Sequence, residues 1–116
     1  MRRDTLLLKD TPFGKISISR AALERFVWEI VAESYGIVDM AGRRPLTPRG
    51  RARRGVDVRD SSEGIEIEIE IVVEFGLNLA EVAEAVRERV SYEVERHTGR
   101  TVSRVEVRID DARRTA

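Results

Sequence analysis

The 116-residue chain has no cysteine and no glutamine, a single asparagine (Asn78), and two lysines against nineteen arginines. Without cysteine there is no disulfide framework, no thiolate nucleophile and no thiolate zinc site. The chain is also short of long apolar runs. "MRRDTLLLKD" at the start holds only three consecutive leucines, too few for the apolar region of a signal peptide or for a membrane span. Glycines are spaced as turns rather than as a P-loop or a dinucleotide fingerprint. These absences point to one soluble, cytoplasmic domain with a modest core.

Charge is abundant: charged residues make up 36% of the chain, with 21 basic and 21 acidic groups. That neutrality hides a segregation. Residues 43–54 carry Arg43, Arg44, Arg49, Arg51, Arg53 and Arg54, two prolines and no acid, leaving 15 basic against 21 acidic groups elsewhere. A uniformly basic nucleic-acid binder is excluded, but a local anion-seeking patch is not. Three readings of the stretch stay open. The arginines could pair with phosphates of anionic lipid or with an acidic partner. They could bind nucleic acid, although no aromatic is interleaved for base stacking. Or the stretch, 42–55, is a solvated connector kept extended by Pro45 and Pro48.

Side-chain periodicity lays out the remaining elements. "GKISIS" (14–19) alternates as a short strand. A helix follows from a Ser19 cap to about Ser34, with Leu23, Phe26, Val27, Ile30 and Ser34 inward and Gly36 as the stop. "IVDM" (37–40) is a strand. "VDVRD" (56–60) and "IEIEIEIVVEF" (65–75), joined by "SSEG", form a hairpin. In its second strand Ile65, Ile67, Ile69, Ile71, Val73 and Phe75 face one way. Glu66, Glu68, Glu70 and Glu74 face the other, and only Val72 interrupts them. Asn78 with Glu81 opens a second helix in a capping-box arrangement; Leu79, Val82, Ala83, Val86, Val90 and Val94 are its stripe, and Gly99 its end. "VSRVEVRID" (102–110) is the last strand. The order β-α-β-β-β-α-β predicts a two-layer α+β domain, with two helices on one face of a mainly antiparallel sheet. It spans 11–110, between a frayed N-terminus (1–10) and a C-terminal tail (111–116).

No catalytic, cofactor-binding or metal-ligating set emerges, and no small-molecule substrate is implied. The glutamate ladder reads as a solvated face, with Arg59, Arg104 and Arg108 placed for cross-strand ion pairs. His97, in the last turn of the second helix, has no nucleophile beside it. Trp28, Val31 and Tyr35 form a second apolar strip on the first helix. It either wraps onto the second helix or offers a partner or self-association surface.

"GKISIS", a helix ending in "SYGIVDMAG", "RGVDV" and "IVVEFGLNLAEVAEAVRERVSYEVERHTGRTVSRVEVRI" together resemble the alkaline shock, or envelope stress response, protein family. The ordered features are Phe75–Gly76, Leu77–Asn78 and Thr98–Gly99, over roughly residues 12–110. The resemblance implies a non-enzymatic interaction protein of cell-envelope homeostasis. It further implies recruitment to the inner membrane surface by an anchoring protein partner, and formation of homo-oligomers. The Arg-rich stretch is where the chain departs from its relatives, whose segment there is often longer and more apolar.

Overall fold

Isoleucine alternating with glutamate makes a strand that hides one face and wets the other, and every other strand of the main sheet is placed by it. The computed structural model describes residues 4–40 and 55–114. In chain order these form β1 (Thr5–Thr11), β2 (Gly14–Ser19), α1 (Arg20–Ala32), β3 (Ile37–Met40), β4 (Val56–Ser61), β5 (Gly64–Glu74), α2 (Leu79–Thr98) and β6 (Val102–Arg113). The two-layer α+β class is the one observed. Leu23, Val27 and Val31 of α1 and Val82, Val86, Val90 and Val94 of α2 join the isoleucine face of β5 in one core.

In the main sheet β3, β4 and β6 each pair with β5. β6 runs parallel along it from Ile65↔Val102 to Glu74↔Arg113. β4 lies antiparallel against its first half, Val56↔Ile69 to Ser61↔Gly64. β3 lies antiparallel against its second half, Ile37↔Val73 to Met40↔Ile71. Since β6 fills one edge, β3 and β4 share the other end to end. They are one strand in two pieces, parted at residues 41–54.

Both helix starts follow from capping. The Ser19 hydroxyl accepts from the Ala22 amide at 3.0 Å, and the Asn78 side chain accepts from the Glu81 amide at 3.1 Å. Each satisfies one of the amides a first turn leaves orphaned. Gly99 closes α2 in the left-handed conformation, φ 72°, which costs glycine no Cβ clash. Gly36 also has positive φ, and a Cβ there would lie 2.9 Å from Leu77 Cδ1.

Two expectations are corrected. Residues 1–10 were expected to fray, yet Thr5–Thr11 form β1, antiparallel to β2, so the observed order is β-β-α-β-β-β-α-β. The three leucines carry no alternation to announce a strand, but Leu6 is buried and the strand is held at its start and at Leu7. The Arg20 amide donates to the Asp4 carbonyl, and the Arg100 guanidinium to the Leu7 carbonyl, each at 2.6 Å. At the other terminus Asp111, Ala112 and Arg113 continue β6 rather than forming a tail, because Val72–Glu74 extend the edge they pair with.

The β4 edge is closed by a buried carboxylate. Glu24 of α1 is only 3% exposed and accepts the Val58 amide at 3.1 Å. Arg20 bonds both Glu24 (3.3 Å) and Asp57, and Arg59 adds a second contact to Asp57 at 3.1 Å. Burial raises the pKa of Glu24, partly offset by the Val58 amide and Arg20. A raised folded pKa means the group favours folding fully below its unfolded pKa and loses that contribution as pH rises through the folded value. Glu24→Ala leaves the Val58 amide without its acceptor and should cost about 2 kcal/mol in urea denaturation. Glu24→Gln keeps an acceptor but no proton, so wild type should lose stability relative to it as pH rises from about 4 towards neutrality.

Candidate interaction surfaces

The solvent face of the sheet inherits its geometry from the buried face. With the isoleucines fixed inward, Glu66, Glu68, Glu70 and Glu74 must project outward, and register decides what stands beside each. Glu66 lies between Arg59 and Arg104. Glu68 lies between Asp57 and Glu106, an all-acid row. Glu70 stands opposite Arg108, and Val72 lies between Asp39 and Asp111.

Of the ion pairs expected for Arg59, Arg104 and Arg108, the one to β5 that forms is Arg108–Glu70. Arg108 also reaches Asp110 at 2.9 Å, and both contacts raise its pKa, the hydrogen bond to Asp110 foremost. Arg59 and Arg104 turn instead to acids two residues along their own strands, Asp57 and Glu106. Those acids are the two outer members of the all-acid row. Arg113 contacts Asp39 at 3.4 Å and Asp111 at 3.7 Å, so its guanidinium crosses over the fully buried Val72.

Two depressions on this face hold about 90 and 140 Å³, well below the several hundred Å³ of a ligand pocket. Among the described residues no cluster of acids and histidine could hold a metal ion. A groove of about 430 Å³ lies where the end of α1 meets the start of α2, lined by Tyr35, Leu77, Val82, Ala85, Val86 and Arg89 among others. His97 sits away from it, its Nδ1 3.0 Å from the Glu93 carbonyl and its ring 5.2 Å from that of Phe26.

The structure divides the expected apolar strip. Tyr35 is 80% exposed at the groove, Trp28 is half-buried against the core, and Val31 is wholly inside it. Of the two readings left open for the strip, Val31 follows the packed one and is not part of a partner surface. α1 contacts β3, β4 and α2, so the arc it buries is wider than one sheet requires. Arg43, Arg44, Arg49, Arg51, Arg53 and Arg54 lie outside the described residues. Exposed apolar groups that periodicity missed are Phe13 (99% exposed), Ile16, Phe75 and Tyr92, with Leu79 leaving its expected stripe. The signal for Phe13 was present in "TPFG": a residue between proline and glycine at a hairpin tip points to water.

Residues 9–114 match the family of alkaline shock protein 23, described as having a cell envelope-related function. The chain belongs to that family. It is 30% identical over 112 residues to the uncharacterized protein YloU of Bacillus subtilis, covering 90% of this chain and 93% of YloU. To the uncharacterized protein YqhY of the same organism it is 28% identical over 116 residues, covering 92% of this chain and 86% of YqhY. No solved structure matches the chain.

The rows make a paired prediction. Glu68→Lys places a cation in the all-acid row and should raise stability by about 0.5 kcal/mol. Glu66→Lys puts a third cation between Arg59 and Arg104 and should lower it by a similar amount. Urea midpoints of the two variants, measured side by side in low salt, check the register.

Proposed function

We propose that this member of the family is a non-catalytic interaction module, cytoplasmic and recruited to the inner envelope surface by a protein partner. Supporting the reading is the family's envelope-related function, joined to a body whose broad sheet face is open and largely self-paired in charge. Many charged groups of that face pair with one another beside shallow depressions, an arrangement suited to docking rather than to turnover. Among the described residues no helix is long and apolar enough to cross a membrane. The proposal assigns attachment to a contact. Arg43, Arg44, Arg49, Arg51, Arg53 and Arg54 are the electrostatic contact in this proposal, and Tyr35 with its groove the apolar one.

Fractionation tests it. Wild type and a variant carrying Arg49→Ser, Arg51→Ser, Arg53→Ser and Arg54→Ser are expressed in bacterial cells, and nuclease-treated envelopes are washed with increasing salt. Wild type should sediment with the envelope. The variant should be released at lower salt while melting as cooperatively as wild type. Wild type found wholly in the soluble fraction would sink the reading, as would a variant that no longer folds, since the arginines would then be structural. Release of wild type by nuclease alone would transfer the function to nucleic acid, whose binding falls steeply with salt.

A further inference from the structure

A sheet built on one central strand leaves two outer edges, and this protein treats them differently. At β4 the outward Val58 amide is taken by Glu24, and α1 packs against the strand. At β6 the Val102 amide is taken by Glu95 at 2.9 Å. Beyond that point no described group bonds the outer edge before Ala112, whose amide turns to Asp111. Between two register shifts lies a regular stretch, Arg104–Ile109, without proline or lysine to blunt it. A long, regular, unprotected edge is the feature by which strands recruit other strands.

Backbone direction on this edge can be assigned. Ile65 and Phe75 of β5 donate to the carbonyls of Thr101 and Arg113. In a strand of one direction, the sheet face a residue occupies also decides which edge its N–H and C=O address. Arg113 lies on the charged face, beside Glu74, and addresses β5. Arg104, Glu106 and Arg108 therefore address β5 as well. Val105, Val107 and Ile109, all on the core face, present their N–H and C=O groups outward. Their side chains are only partly buried, although they pack against the core.

We infer that this edge pairs with a second copy of the same strand, antiparallel about a two-fold axis at Val107. This surface is independent of the recruitment reading. In that register Val107 faces its own counterpart and Val105 faces Ile109, exchanging the free backbone bonds. Glu106 then stands opposite Arg108 of the second copy, twice by symmetry, in the non-hydrogen-bonded positions where side chains lie closest. One step further out, Arg104 meets Asp110. Moving the axis to Glu106 sets Glu106 against itself and Arg104 against Arg108. Moving it to Arg108 sets Arg108 against itself and Glu106 against Asp110. Both neighbouring registers thus oppose like charges, whereas the Val107 register opposes unlike ones. The second copy also answers an imbalance within one chain. Glu68 and Glu106 are neighbours across β5 and β6, and the incoming Arg108 supplies a cation on the far side of Glu106. The product is one continuous sheet with the half-buried valines and Ile109 of both copies meeting at its centre.

Sedimentation equilibrium and single-cysteine cross-linking of the full chain test the pairing. Wild type should be a dimer. Glu106→Arg opposes Arg108 of the second copy and should weaken dimerisation by about tenfold or more. It should change the melting temperature of the monomer little, because the exposed pair it gives up with Arg104 is offset by the cation it places beside Glu68. Glu106→Arg with Arg108→Glu restores unlike charges across the axis and should recover the dimer. In this cysteine-free chain Val107→Cys should cross-link on mild oxidation, since the two Cα atoms of such a pair lie about 5.5 Å apart, within disulfide reach. Arg104→Cys should not, its two copies being about 20 Å apart along the strands. A wild type that stays monomeric at its highest soluble concentration overturns the inference. So does a Glu106→Arg variant that dimerises as tightly as wild type, or cross-linking through residue 104 and not 107. A monomer whose β6 edge is protected from amide exchange only by another protein's strand would overturn it too.

Discussion

The register of β5 is the constraint on which the rest of this structure depends. Ile65, Ile67, Ile69, Ile71 and Val73 are each at most 1% exposed. A slip of one residue would send all five to water and bring glutamates into the core. At about 2 kcal/mol for each apolar side chain, that loss matches the whole stability of a domain this size. The strand therefore has one place to sit. Since β3, β4 and β6 each find their register against it, the entire solvent face is set by a decision taken in the core.

That order of priority explains why the charged face is uneven. Apolar fit decides where strands meet, and charges occupy whatever positions remain. Hence Glu66 stands between two arginines while Glu68 stands between two acids. The arginines respond locally: Arg59 and Arg104 turn along their own strands, and Arg108 spans Glu70 and Asp110. Such exposed pairs contribute little individually; their effect is to keep a face of alternating sign soluble. The edge strands follow another logic. β4 is sealed by Glu24 at the cost of burying a carboxylate, which the Val58 amide and Arg20 offset. No comparable expense is recorded along the middle of β6.

How much of this was legible in the sequence follows from what periodicity encodes. Alternation assigns residues to faces, so the two faces of β5, the stripes of both helices and the β4–β5 hairpin could be read directly. Capping chemistry located the helix ends at Ser19, Asn78 and Gly99. Alternation does not encode neighbours. Nothing in "VSRVEVRID" says that β6 runs parallel to β5, or that β3 and β4 are halves of one strand. β1 was missed because three successive leucines carry no period, and its placement depends on partners distant in sequence, Arg100 among them. The strip of Trp28, Val31 and Tyr35 could not be resolved into packed and exposed members, because helical spacing gives the direction of a side chain but not how many neighbours surround the helix. Among candidate contacts, Tyr35 is the exposed member of its strip, and exposed Phe13 was readable only as turn chemistry.

The interruption of the β3–β4 strand bears on how the arginines relate to the body. Met40 pairs with Ile71 and Val56 with Ile69, and the Glu70 amide between them donates to the Gly55 carbonyl at 2.8 Å. The chain therefore leaves and rejoins the sheet at adjacent positions on one edge, with both departure points pinned by the strand least free to move. Closing a loop between fixed ends costs free energy that grows only logarithmically with its length. Length alone therefore adds little to the free energy of joining these two points. The register of β5 thus fixes where residues 41–54 leave and rejoin the body, which in the proposed function is the platform that presents the six arginines.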